Sequence, residues 1–291
     1  MVVWTYFIWQ ALSSLSVSGF LTLRGAHLCA RSQTVQLLAL SQFTIFFGLL
    51  SIGVGHLFLP LDEAVSLATI LNPILCFGCW KVVDSHRNAW KGSSESFLLT
   101  VFLTFMALSY ALSVAFPILE SHFKLLFFGD IATLDSKTAK ILLLVSSGAL
   151  GIEWGFFKKF ASFSFIDAVL KTNAGSNRRI KLKKSFRADQ VYDETVSVLI
   201  LIVCIQNLGI LFTLGAALLA PVILSRSKKS DLLSYRNRMI STTLIGVGIG
   251  FGLSMQLPMW PTVPLMVLCV GVMVGLFQGS QALRGHAREQ T

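Results

Sequence analysis

Charge is scarce in this chain. Asp, Glu, Lys and Arg make up 13% of its 291 residues, and only 14 of those are acidic. Soluble globular domains carry about twice that charged fraction, so a water-facing globular fold is excluded. The sequence contains no GxxxxGK[ST] phosphate cradle and no grouping of Ser, His and Asp suited to nucleophilic catalysis, which leaves nucleotide hydrolysis and acyl transfer without a basis. Its five cysteines lie in or beside apolar segments and offer no loop pair for a disulfide framework. The first apolar stretch has no basic segment before it, so it reads as a retained anchor and not a cleaved leader. There is also no internal duplication, which counts against inverted-repeat transporter folds.

Apolar residues, by contrast, make up 54% of the chain, and the mean hydropathy is +0.71. Runs of about 20 apolar residues recur, each long enough to cross a hydrocarbon core of roughly 30 Å. They are too long for barrel strands, and lipid tolerates no open backbone polar groups. The reading is an all-α integral membrane protein: a polytopic helical bundle of 8–9 spans forming one domain over residues 1–291. Spans fall near 4–23, 34–59, 64–83, 97–119, 138–157, 191–206, 208–224, 239–257 and 262–283. The sixth and seventh are squeezed together, so a short or broken helix is expected around Gln206-Asn-Leu-Gly209. Irregular backbone at that depth must be buried in protein or line a watery cavity, which makes Gln206, Asn207 and Gly209 candidates for a translocation pathway.

Positive charge sets the expected orientation. With the N-terminus outside, 21 of the 24 Lys and Arg residues fall on the inner side, and only Lys124, Lys137 and Lys140 fall outside. The net charge of +10 is then a topology signal and calls for no nucleic acid. The inner loop 158–190 holds the dense cluster Arg178-Arg-Ile-Lys-Leu-Lys-Lys184. It suits anionic lipid head groups or a docked partner. The outer segment Leu125-Leu-Phe-Phe-Gly-Asp-Ile131 is an aromatic-rich turn of the kind found at the membrane interface.

The stretch from Gln206 to Arg238 combines these signals. An apolar run through Pro221 gives way to Ser225-Arg-Ser-Lys-Lys-Ser-Asp-Leu-Leu-Ser-Tyr-Arg-Asn-Arg238, read as a short cationic helix. Such a segment, at 225–238, fits a membrane protein that holds a soluble partner against its inner face. Pro221, Arg226, Lys228, Lys229, Leu232, Leu233, Tyr235 and Arg238 are its candidate coupling residues.

Other polar residues carry open alternatives. His56, with Asp62 and Glu63 close behind, is either an access site for a cation or a structural interface histidine. Glu153 lies inside the fifth span; it is a functional acid at membrane depth, or it snorkels inward beside Lys158. Cys76 and Cys79 are small packing residues or a soft-metal pair. Asn72-Pro73 marks a kink in the third span.

Four landmarks then occur in a familiar order: Leu23-Arg24; Phe128-Gly-Asp-Ile131 with Phe157-Lys-Lys-Phe160; Ser162-Phe163 leading to Ala168-Val-Leu170; and Leu208-Gly209 through Ala217-Leu-Leu-Ala-Pro221, with Leu257-Pro258 between two closing spans. In this order the chain resembles the permease subunits of ABC importers for zinc, manganese and iron, which are related to vitamin B12 and siderophore permeases. The resemblance implies a homodimer of permeases in a bacterial inner membrane, with the C-terminus inside. It further implies an ABC ATPase subunit that binds and hydrolyses ATP, an extracytoplasmic solute-binding protein, and no cofactor on this chain. The family's Asp and, four residues later, His fall here on Arg31 and Val35, and its inner Asp-Pro falls on Ser164-Phe165. A guanidinium repels a dication, so the metal residues stay unassigned: either other residues build the site, or the cargo has changed or been lost. Reading the chain as a secondary transporter or a structural membrane subunit, working without an ATPase, remains the alternative from a different class.

Overall fold

The computed structural model describes residues 2–31, 33–89, 93–129, 131–132, 134–162, 195–224, 231–257 and 259–289. Hydrocarbon leaves the helix as the natural form for long apolar runs, because it satisfies every backbone group within the segment. Among the described residues there is no strand. In chain order the helices are α1 (Val2–Ala30), α2 (Thr34–His56), α3 (Leu61–Ala89), α4 (Ser94–Ala115), α5 (Glu120–Phe128), α6 (Ser136–Gly155), α7 (Ser197–Leu224), α8 (Leu232–Gln256) and α9 (Thr262–Glu289), with a 3₁₀ turn at Pro117–Leu119. Five of them, α2, α3, α4, α7 and α8, are long and apolar enough to cross a membrane. The 20 residues of α6 also reach about 30 Å at 1.5 Å per residue. The expected all-α membrane bundle with one broken helix is the fold observed.

The residues group into two compact units. In the first, built from α1, α6, α7 from Leu211 onward, α8 and α9, α8 packs along α9 and α1, and α1 packs along α6. Small residues permit the close approach: added side-chain carbon at Gly246 or Gly250 of α8 would run into the backbone of Val270 or Met266 on α9. Gly25 of α1 points its Cα at the carbonyl oxygen of Ala217. That carbonyl is the one Pro221, lacking an N–H, cannot bond within α7; a Cα–H contact of this kind partly compensates. Beside it, the Thr22 hydroxyl donates to the Ala216 carbonyl at 3.1 Å.

In the second unit α2 is central, packed along α3 and α4 and touching α5. Phe43, Phe46 and Phe47 of α2 surround Phe105 of α4 with ring centroids 4.3–6.2 Å apart. α3 runs through Pro73 without interruption, and Asn72 beside it is fully buried against Gly48. The faces of α3, α4 and α6 that carry Ile70, Ile74, Tyr110 and Leu144 are exposed and apolar, as a bilayer solvent requires.

One expectation needs correction. The cationic segment is not a separate short helix. From Leu232 it forms the first turns of α8, because no Gly or Pro interrupts the chain before Met239. Pro221 lies inside α7, which continues to Leu224, the end expected for that span. Arg31 and Val35 lie on either side of the junction between α1, which ends at Ala30, and α2, which begins at Thr34. Arg226, Lys228 and Lys229, Asp130, Pro258, and the 158–190 loop from residue 163 onward lie outside the described residues.

Candidate functional site

The polar centre of the first unit is built by two helix ends. Arg24 and His27 are three residues apart on α1 and so share a face. Opposite them stands Glu153, near the end of α6. Arg24 Nη1 lies 3.7 Å from one carboxylate oxygen of Glu153, and His27 Nε2 lies 3.4 Å from the other. The three residues are 3%, 2% and 0% exposed. Glu153 therefore does not snorkel toward Lys158; its charge is held inside by a guanidinium and an imidazole. The aromatic rings of Phe157 and Phe160 close over His27 with centroids at 5.1 and 5.9 Å. A buried carboxylate is tolerable only with such partners, because ion desolvation costs several kcal/mol per charge.

The start of α8 rests on the same end of this unit. The guanidinium of Arg236 lies 4.0 Å from the Trp154 ring and 5.7 Å from that of Phe157, and donates to the Trp154 carbonyl at 3.3 Å. The Tyr235 hydroxyl donates to the Pro221 carbonyl at 3.0 Å. Leu232 remains 41% exposed, Leu233 is half-exposed, and Arg238 is half-buried on the side facing α9. Contacts thus run from the first turns of α8 through Trp154 and Phe157 to His27 and Glu153.

In the second unit the expected helix break is present, and its position is Gly209. There α7 turns through φ +80° and ψ +164°, a conformation open essentially only to glycine. Gly129, which ends α5 at φ +72° and ψ +160°, lies directly against it. A side chain on Gly129 would strike the Leu208 carbonyl, and one on Gly209 would strike the Gly129 backbone. Two landmarks separated by 80 positions in the sequence, Phe128-Gly129 and Leu208-Gly209, are therefore one structural feature. Beside the break, Gln206 donates to the Ala68 carbonyl at 3.4 Å and Asn207 to the Val203 carbonyl at 2.8 Å. Both side chains are partly exposed.

The remaining candidates are more scattered. His56, Asp62 and Glu63 are exposed, and among the described residues no three His, Cys, Asp or Glu side chains gather as a metal ion would need. The Cys76 thiol lies 3.5 Å from the Thr44 hydroxyl, at the packing face between α2 and α3. Arg31 is buried at the end of α1, with its backbone N–H bonded to the His27 carbonyl at 3.2 Å. Sequence reasoning missed His27 and the pairing of Arg24 with Glu153. The signal was available: a cation inside an apolar helix needs an acid, and Glu153 is the acid within the fifth span.

No family model matches the sequence, and no curated protein matches it. Among solved structures the chain is similar to one in "PsaBC from Streptococcus pneumoniae in complex with Fab". The TM-score is 0.68 at 14% identity, covering 93% of this chain and 90% of that one, so the two share a fold.

Proposed function

We propose that this protein is the membrane-spanning permease subunit of an ATP-binding-cassette importer for divalent metal ions such as zinc, manganese or iron. The observation that carries the reading is the fold shared with a PsaBC chain over 93% of this one. It joins the ordered landmarks of the metal-importer permeases, two of which meet at Gly129 and Gly209. The chain forms the pathway, with Gln206, Asn207 and Gly209 at the helix break. A separate ATPase subunit hydrolyses ATP, a solute-binding protein delivers cargo from outside, and two permeases pair in a bacterial inner membrane.

In this reading the inner face is the end of the first unit where α1 and α6 finish and α8 begins. The ion pair and aromatic contacts among Arg24, Glu153, Trp154 and Arg236 bring these ends together on one side, and the excess of Lys and Arg assigns that side to the inner face. Of the three lysines left outside, Lys124 is paired with Glu120 at 2.8 Å and Lys140 lies over the Trp9 ring at 4.9 Å. An impermeant thiol reagent added to intact cells is expected to leave Ser176→Cys unlabelled. Efficient labelling would reverse the topology.

Leu232 and Leu233 are the apolar residues this end offers to the ATPase. Placing aspartate at both would force carboxylates to be desolvated in the contact, at roughly 1–3 kcal/mol or more for each unpaired group. The double variant is expected to lose ATPase co-purification and transport-linked hydrolysis while still reaching the membrane. Unchanged co-purification and coupling would refute the docking role. A second reading, of the same architecture with altered or lost cargo, is favoured by Arg31 and Val35 standing where the family has Asp and His. Uptake of zinc and manganese by the unaltered chain, compared with an Arg31→Asp, Val35→His variant, separates the two readings.

A further inference from the structure

We propose that the groove between α8 and α9 is a binding site for one anionic phospholipid, a role beyond the transport reading that assigns Arg238, one of the candidate coupling residues, to the lipid. The groove encloses about 490 Å³. Its polar end is made by α8: Asn237, Arg238 and Ser241 lie on consecutive turns at the start of that helix. Thr242 follows, its hydroxyl spent on the Arg238 carbonyl, and the other walls are apolar, formed by Ile245 deeper along α8 and by Met273, Leu276 and Phe277 on α9.

The donors at the polar end are unspent. Arg238 makes no ion pair or side-chain hydrogen bond among the described residues; only its backbone carbonyl is used, accepting from the Thr242 hydroxyl at 2.7 Å. The Asn237 side-chain oxygen already accepts from Arg236 at 3.0 and 3.1 Å, which leaves its amide nitrogen pointing elsewhere as a donor. The Ser241 hydroxyl is exposed and bonds nothing among the described residues. A guanidinium, an amide and a hydroxyl, with no carboxylate among the described residues that line the groove, form a receptor for a phosphate oxygen cluster.

The groove's place in the sequence fixes its depth. Arg238 is the last charge before the apolar body of α8, where a side chain meets the head-group layer of a bilayer. Ile245 and Leu276, 48% and 65% exposed, lie where acyl chains run. Free phosphate would leave the apolar end of the groove, at Ile245, Met273, Leu276 and Phe277, unused. An amphiphile with an anionic head fills both ends.

The test is native mass spectrometry of the full-length protein, released from detergent micelles doped with equal phosphatidylglycerol and phosphatidylcholine. One phosphatidylglycerol is expected to be retained preferentially. Arg238→Gln should reduce that preference roughly tenfold, the scale of one lost hydrogen bond to a charged group. Leu276→Trp, which crowds the apolar wall at an exposed position, should remove the retained lipid while leaving Arg238 in place. Equal retention of the two lipids, or a preference unchanged in both variants, would overturn the proposal. So would efficient disulfide cross-linking of Leu276→Cys between two copies, since a second chain would then cover the groove.

Discussion

Gly209→Val and Gly129→Val are each expected to prevent accumulation of the folded protein in the membrane. At Gly209 the backbone lies at φ +80°, ψ +164°, and at Gly129 at φ +72°, ψ +160°. Holding a side-chain residue in such a region costs about 1–3 kcal/mol. Each new side chain would also be driven into the opposing backbone, and overpacking adds roughly 1–3 kcal/mol more. The sum is a large part of a typical net stability of about 5–15 kcal/mol. Gly148→Ala is the matched control. Its added carbon meets nothing within 4 Å and sits within α6, so it is expected to be neutral or to stabilise by up to about 1 kcal/mol. Membrane-fraction yield and detergent melting of the three variants check this. Wild-type yield for both glycine-to-valine variants would show that the junction is not as close as described.

The second large effect is expected at Glu153. Glu153→Gln keeps the shape but removes the negative charge, leaving a guanidinium in a fully buried setting. Breaking a buried pair by removing one partner costs about 3–5 kcal/mol. Arg24 has further contacts in this region, so the lower end is expected. The double replacement Arg24→Met, Glu153→Leu removes both charges and is expected to recover most of that loss, because apolar pairs of similar volume often replace buried ion pairs at little cost. Melting curves for Glu153→Gln and the double variant test this. If Glu153→Gln is as stable as the parent, the ion pair contributes nothing and Glu153 must be explained otherwise.

These two features also mark where sequence reading stops. Helix positions were legible because long apolar runs in lipid have few alternatives, and the crowding near Gln206 located the break within a few residues of Gly209. Local patterning could not show that Gly129 is what Gly209 packs against. That contact joins α5 to α7 across about 80 residues, and no periodicity encodes it. The cationic segment was misread as its own helix because its charges suggested a surface element, whereas its backbone had no reason to stop before Met239. Glu153 reads from sequence either as a functional acid or as a side chain snorkelling toward Lys158; the structure instead pairs it across helices with Arg24 and His27, a contact no local pattern encodes. Gly25 was not singled out at all. Its role depends on a carbonyl of Ala217 left open by Pro221, a combination that appears only once the helices are placed.

The central claim is that this chain forms a metal-ion pathway worked by a separate ATPase. The most direct measurement is uptake of radiolabelled zinc and manganese into proteoliposomes that contain the chain purified together with the ATPase it retains and its solute-binding protein. Accumulation that requires ATP, and that stops when the ATPase carries an inactivating substitution at its phosphate-binding lysine, is the predicted result. Accumulation by this chain alone, driven by an ion gradient and indifferent to ATP, would contradict the account and make the protein a secondary transporter.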